Sequence, residues 1–354
     1  MAMTYRTRRR LQRIGTVAVI SLMVFLVFWF CWVLWLERYI VYTRDNEAVI
    51  DLDFNANEQV GEVAKPPSSG GTGITIYYNE GDNAIEVTNE LAQLDGYYIT
   101  ADMLINDLAD VWEDLEHLSS GTPVMIELKG GYGSFYYSSG LADALTSQSV
   151  SVAAVDELIR ELHNQGFYTI ARVSAFRDYN YGLNHVNIGL PFVGKQYLWA
   201  DEGGCYWLNP TSPATISWIS SIVNELRDLG FDEVMLADFR FPASEKYTFN
   251  GDKNAALLSA ATSLLDSCGS YDFVLSFCVD NAAFALPEGR SRLYMENVSA
   301  ANVGAKVSQA AITNPEVRLV FLAETNDTRY SDYGVLRPID VADVLEAQKA
   351  AEKE

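Results

Sequence analysis

Two charged residues stand just beyond a short apolar run near the middle of the chain. Residues 234–237 read as a buried strand, and Asp238 and Arg240 follow it. Residues two apart in an extended segment lie on the same side, so this guanidinium could orient the carboxylate or bind an anionic group. A structural ion pair at the strand end would show the same spacing. These residues alone leave both interpretations open.

Four further acids each come at or just after the end of an apolar run: Glu127, Asp280, Glu296 and Glu324. If these runs are parallel strands of a barrel, their carboxyl ends meet on the face where barrel enzymes place catalytic groups. Hydrolysis of a glycoside uses two carboxyls, one that protonates the leaving oxygen and one that is ionised. Crowded acids can divide those roles because mutual repulsion separates their pKa values. Helix capping or a solvated rim would also place acids at loop starts.

Two loops that follow predicted strands, residues 129–137 and 194–207, are rich in aromatic side chains. Flat rings with polar edges suit stacking on sugars, although the same rings also pack ordinary loop cores. We predict the following substrate contacts: Arg172, Arg240, Lys129, Tyr132, Trp199, Trp207 and Asp280.

Metal and nucleophile schemes find little support in the sequence. The three histidines show no paired spacing, and no Gly-x-Ser-x-Gly, P-loop or dinucleotide glycine motif occurs. We therefore expect no metal and no cofactor. Cys268 and Cys278 could pair, but the number of cysteines after the apolar N-terminal run is odd.

Short apolar runs alternate with helical patterns from residue 96 onward, which is typical of βα units around a parallel sheet. The predicted strands are residues 96–100, 124–128, 168–173, 234–237, 273–277, 293–295 and 318–322. The predicted helices are residues 103–118, 150–165, 213–229, 253–267, 300–311 and 339–353. The fold class is thus α/β, a (β/α)8 TIM barrel. It is complete if residues 74–78 supply the eighth strand and otherwise incomplete or irregular.

The N-terminal region predicts a membrane anchor. Residues 15–36 form an uncharged run of 22 residues, long enough for a helix to cross the hydrocarbon layer. Five arginines precede the run, so residues 1–14 are expected in the cytoplasm and the remainder outside. Residues 37–72 read as a linker and residues 73–354 as the barrel domain. A formal charge of -22 argues against a nucleic-acid partner.

Four stretches resemble the putative glycosyl hydrolase domain of bacterial surface proteins, DUF4015. They are residues 124–133, residues 158–178, Trp-Leu-Asn-Pro at 207–210, and Gly-Phe-Asp-Glu-Val-Met-Leu-Ala-Asp-Phe-Arg-Phe-Pro at 230–242. The resemblance implies a TIM barrel that acts on glycans. In its alignment the strand-end Asp of the family falls on Ala237 and its Tyr on Asp238. One family acid becomes Glu127, whereas another becomes Gly130. A carboxylate moved by one residue changes face in a pleated strand, so the resemblance leaves activity open.

The sequence thus predicts a membrane-anchored, extracytoplasmic, glycoside-hydrolase-like protein whose partner is a cell-envelope or environmental glycan such as peptidoglycan. Asp238 is predicted as the ionised carboxylate, Glu296 or Glu324 as the proton donor, and Glu127 as a further candidate. Arg172 and Arg240 would position the substrate or tune these acids. The alternatives are a catalytically silent glycan-binding barrel and a structural surface protein.

Overall fold

The computed structural model describes residues 91–342, together with residues 23, 29, 40–42, 48–50 and 345. The chain divides into two units, Met1–Ser68 and Ser69–Glu354. In the first unit, strands Ile40–Tyr42 and Ala48–Ile50 pair in antiparallel fashion. Apart from residues 23 and 29, the predicted anchor lies outside the described residues, and so does the predicted strand at 74–78. Within the described part of the chain, no helix is long and apolar enough to cross a membrane.

The second unit contains a closed barrel of eight parallel strands. Each strand pairs with its neighbours in chain order, and the first strand pairs with both the second and the last, which closes the ring. The strands are β1 (Asp95–Ile99), β2 (Pro123–Lys129), β3 (Tyr168–Ser174), β4 (Glu233–Ala237), β5 (Val274–Cys278), β6 (Leu293–Met295), β7 (Leu319–Leu322) and β8 (Gly334–Pro338). The predicted parallel α/β barrel is therefore confirmed.

Helices connect most of the strands. They are α1 (Ala101–Asn106), α2 (Leu108–Glu116), α3 (Val152–Gln165), α4 (Tyr179–Asn184), α5 (Pro213–Asp228), α6 (Lys253–Cys268), α7 (Val303–Gln309) and α8 (Pro315–Arg318). The β5–β6 connection, residues 279–292, has no helix, since Pro287 and Gly289 interrupt any helical repeat. The β7–β8 connection contains only the 3-10 turn Thr328–Tyr330. The ring is thus complete while its helical layer is irregular.

The seven predicted strands agree with β1 to β7 to within about one residue at each end, and the eighth strand was missed. β8 has only Val335 and Leu336 between Gly334 and Arg337, too short an apolar run to recognise. Arg337 is nonetheless buried, and its guanidinium binds Asp95 on β1 at 2.5 Å. The helix predicted at 103–118 is divided at Asp107. The helix predicted at 339–353 begins with a 3-10 turn, Ile339–Val341, and residues 342 and 345 are helical; its other residues lie outside the described part of the chain.

The base of the barrel, at the N-terminal ends of the strands, holds a buried polar network. Glu233 is fully buried and forms an ion pair with Arg292, which is almost fully buried. Tyr168 and Tyr294 each donate a hydrogen bond to the Glu233 carboxylate at 2.9 Å, and Ser276 donates one at 2.5 Å. Above this network lies an apolar layer formed by Met125, Ile170, Met235, Val320 and Leu336. Together these layers fill the base and middle of the barrel, as expected of a TIM-barrel core.

Candidate active site

A cavity of about 560 Å³ opens at the opposite end, where the strands finish. Its polar lining comes from β1, β2, β3, β6 and β7. The polar and charged residues are Tyr98, Thr100, Glu127, Arg172, Glu296, Asn297, Ser299, Glu324, Thr325 and Tyr330. Three of the four acids predicted as catalytic, Glu127, Glu296 and Glu324, therefore share one cavity.

Arg172 of β3 joins two of these carboxylates. Its Nη1 lies 3.0 Å from Glu127 Oε1, and its Nη2 lies 2.9 Å from Glu296 Oε1. Burial alone would lower the pKa of Arg172, but the two carboxylates outweigh burial and raise it. The guanidinium therefore stays charged between its two partners.

The two carboxylates differ in how fully they are used. Glu127 forms an ion pair with Arg172 through one oxygen, and its other oxygen accepts a hydrogen bond from the backbone N–H of Ala101, at the start of α1, at 3.3 Å. Glu296 uses Oε1 alone, which accepts from Arg172 Nε at 3.2 Å and from Nη2. Within residues 91–342 no donor contacts Glu296 Oε2. Glu127 is thus held at both oxygens, whereas Glu296 keeps one oxygen for a ligand.

Glu324 has a different environment. Its side chain is exposed at the cavity edge after β7, and no cation pairs with it among the described residues. Tyr98 lines the same cavity. Burial first, and then the charge of Glu324, raise the pKa of Tyr98 to about 12, so its phenol is neutral at physiological pH. The sequence analysis missed it, although Tyr98 is an inward-facing residue of β1.

Asp238 lies beside the cavity and is not among its lining residues. It has φ 52°, in the left-handed region that non-glycine residues rarely adopt, and it directly follows β4. Ser174 Oγ donates to its carboxylate at 2.8 Å, and Arg240 lies 3.6 Å away. Arg240 also binds Asp280 at 2.7 Å. Asp238, Arg240 and Asp280 thus form a second polar group at the mouth.

The buried thiol of Cys278 lies between the two groups. Burial raises its pKa well above the usual value, and the charges of Glu296 and Asp238 act on it in the same direction. The thiol is therefore neutral. Asn297, which directly follows Glu296, also has a positive φ, 56°. Two of the three left-handed non-glycine residues of the described chain thus occur at this mouth, and such strained positions often accompany functional sites.

Comparison with known proteins agrees with the resemblance seen in the sequence. Residues 96–270 match the family model of DUF4015, described as a putative glycosyl hydrolase domain.

The match covers just under half of the chain.

Solved structures are also similar to the chain. A hypothetical protein from Ruminiclostridium thermocellum shares 19% identity over 51% of this chain and 96% of its own, with TM-score 0.44. Aspergillus fumigatus Ega3, in complex with galactosamine, shares 11% identity over 71% of this chain and 94% of its own, with TM-score 0.43. The alpha-galactosidase from Lactobacillus brevis shares 11% identity over 75% of this chain and 40% of its own, with TM-score 0.49. No protein with a curated description matches. The family match therefore rests on residues 96–270.

The barrel places the predicted substrate contacts in different environments. Arg172 lines the cavity, while Arg240 and Asp280 belong to the second polar group. Lys129 does not reach the cavity: its ammonium is fully buried, 2.9 Å from Asp178, and donates to the carbonyl of Ser174 at 2.8 Å. The pairing register of β2 with β3 shifts between Glu127 and Lys129, so these two side chains do not lie on the same side of the strand as regular alternation would require.

The aromatic contacts also separate. Trp199 and Trp207 are buried, and the Trp207 indole donates to Asp201 at 3.0 Å, so both rings pack the β3 loop. Tyr132 is 56% exposed, and its hydroxyl donates to the carbonyl of Gly203 at 2.7 Å. Tyr132 alone of these three keeps a face open to a ligand.

Neither a metal centre nor a disulfide is found in the part of the chain that the structure describes. No group of three or more potential ligands could hold a metal ion there. Cys205, Cys268 and Cys278 are buried free thiols, so Cys268 and Cys278 do not pair.

Proposed function

We propose that the protein is a glycoside hydrolase that residues 15–36 anchor in a membrane, with the barrel on the extracytoplasmic side. Its substrate would be a cell-envelope or environmental glycan, such as peptidoglycan. One observation carries the catalytic part of the proposal. Glu127 and Glu296 share the Arg172 guanidinium inside the cavity, and the unpaired Glu324 lines the same space. Two carboxyl groups of unequal environment are what glycoside hydrolysis needs.

The roles follow from the contacts. Glu296 is the ionised carboxylate, because Arg172 holds one of its oxygens and leaves the other for the sugar or for water. Glu324 is the proton donor to the leaving glycosidic oxygen, because it lines the same cavity and no cation pairs with it among the described residues. Tyr98, neutral up to a pKa of about 12, can donate a hydrogen bond to either acid or to the sugar. The separation of the two carboxyls in the complex would decide between retention and inversion.

Asp238 keeps a place in this proposal. Its carboxylate accepts a hydrogen bond from Ser174 and lies near Arg240 at the edge of the cavity. We propose that Asp238 and Arg240 contact sugar units beyond the cleaved bond. If Asp238→Asn abolishes hydrolysis, Asp238 rather than Glu296 would be the ionised catalytic carboxylate.

A silent glycan-binding barrel is the second candidate. It is favoured by Ala237 and Gly130, which stand where the family pattern has acids, and by the complete engagement of Glu127. A barrel of this kind would bind glycans without releasing new reducing ends.

The test uses the full chain in detergent micelles, incubated with a glycan panel that includes peptidoglycan, and measures new reducing ends. Glu296→Gln, Glu324→Gln and Asp238→Asn are compared with Glu316→Gln, which removes one charge at the opposite end of β7. Release that Glu296→Gln abolishes and Glu316→Gln preserves supports hydrolysis at this cavity. Binding without release supports the silent barrel.

The location needs its own experiment. Alkaline extraction of membranes should leave the full chain in the pellet, and protease added from the extracytoplasmic side should digest the barrel. Release by extraction, or protection of the barrel, would contradict the anchored arrangement.

A further inference from the structure

Tyr136 is a residue near the cavity to which no role has yet been given. It follows a two-residue strand, Ser134–Phe135, which folds back antiparallel on β2. The backbone N–H of Tyr136 donates to the carbonyl of Leu128 at 2.9 Å. This tight return brings the half-buried Tyr136 phenol to the side of Glu127, the preceding residue on β2.

Gly130 shows where the phenol lies. A β-carbon at position 130 would be 2.7 Å from the Tyr136 hydroxyl oxygen and 3.6 Å from Glu127 Oε1. Gly130 does not have the positive φ that would require glycine for backbone reasons. A β-carbon there would displace the Tyr136 hydroxyl, because real β-carbons essentially never lie under 3.0 Å from another heavy atom and the tip of a side chain can shift. The Tyr136 hydroxyl and the Glu127 carboxylate both border this one small volume.

Charge also links the phenol to the ion pair. Burial raises the pKa of Tyr136, the charge of Glu127 raises it further, and Arg172 acts in the opposite direction. The phenol is thus within electrostatic reach of both members of the pair and is neutral.

We propose that Tyr136 is a positioning residue for the Glu127–Arg172 ion pair, and that a side chain at position 130 would displace the Tyr136 hydroxyl from its place beside Glu127. Since Arg172 also binds Glu296, Tyr136 would fix the guanidinium that orients the ionised carboxylate. This catalytic consequence rests on the proposed function, whereas the packing of the phenol against the pair does not.

The first test is a double-mutant cycle on the melting temperature of the full chain. Gly130→Ala should lower it by about 3 °C or more in the wild-type background and by less than about 1 °C beside Tyr136→Phe. Gly131→Ala is the matched control, because its β-carbon would meet Arg177 at 2.5 Å, and Tyr136→Phe should not relieve it. If Gly130→Ala lowers the melting temperature equally in both backgrounds, the proposal is overturned.

The second test follows the phenols by NMR with 13Cζ-labelled tyrosine, each signal being assigned by its loss in the Phe variant. Glu127→Gln should lower the pKa of Tyr136 and leave Tyr98 nearly unchanged. Glu324→Gln should do the reverse, because its charge acts on Tyr98. An unmoved Tyr136 signal in Glu127→Gln would refute contact with the pair.

If a hydrolysed glycan is found, Tyr136→Phe should lower kcat with little change in KM. A rise in KM alone would instead make Tyr136 a binding residue and overturn the positioning role. If no glycan is hydrolysed, the proposed function fails while the melting and NMR results still decide the place of Tyr136.

Discussion

The base and the mouth of this barrel use the same side-chain types to opposite effect. At the base, Glu233 and Arg292 are buried, and two tyrosines and a serine satisfy the carboxylate. At the mouth, Arg172 serves two carboxylates, Glu296 keeps an oxygen without a donor among the described residues, and the tyrosines lie beside the acids. A saturated network can only hold the fold, whereas an unsaturated one has capacity for a ligand. The state of satisfaction, rather than residue type, distinguishes the two regions.

The largest expected effect of a single change lies at the base. Arg292→Leu should lower the free energy of unfolding by about 3–5 kcal/mol, since it leaves the Glu233 charge buried and unpaired. Urea denaturation of the full chain in micelles measures this cost. A cost below about 1 kcal/mol would show that the base is hydrated and would remove the contrast with the mouth.

Glu296→Gln should separate activity from stability. Loss of the ionised carboxylate should reduce hydrolysis by about 10²–10⁴-fold. The free energy of unfolding should change by less than about 1 kcal/mol, because Arg172 keeps Glu127 and the site is open to water. Parallel rate and urea measurements decide the matter. A large loss of stability without loss of rate would make the mouth a second structural network.

Tyrosine titration sharpens the comparison further. Because the pKa of Tyr98 is raised to about 12 in the folded chain, its stabilising contribution is complete below pH 10 and is lost as pH rises through 12. Tyr98→Phe should therefore make stability fall less steeply over that window in alkaline urea titrations. Tyr271→Phe, at an exposed position, is the control. Equal slopes in wild type and Tyr98→Phe would contradict the assignment.

The smallest effect is expected at the second polar group. Arg240 is 38% exposed and Asp280 67% exposed, so Arg240→Gln should cost at most about 1 kcal/mol. The same variant should weaken glycan binding if Arg240 contacts the substrate, which calorimetry measures. Unchanged binding would confine the site to the cavity.

Much of this arrangement was readable in the sequence. Strands such as β2, β3 and β4 are continuous apolar runs bounded by turns, so burial on both faces made them recognisable. Glu127 lies near the end of β2, Glu296 directly follows β6, and Glu324 comes just after β7. Parallel strands bring such ends to one face whatever the loops do. The family motif at residues 230–242 predicted the same strand, β4, followed by Arg240. The β8 strand escaped because its stability comes from pairing with β1 and β7 and not from its own apolar content.

The sequence by itself thus determined a parallel barrel and the set of acids at its mouth, because strand periodicity and chain order are local properties. Only the tertiary structure decided which acids share a cavity, that Arg172 joins Glu127 to Glu296, and that Lys129 forms a buried ion pair with Asp178. It also brought the Tyr136 hydroxyl next to Gly130 and gave Asp238 a left-handed backbone. These outcomes depend on distances between residues far apart in the chain, which the order of residues along a strand does not specify.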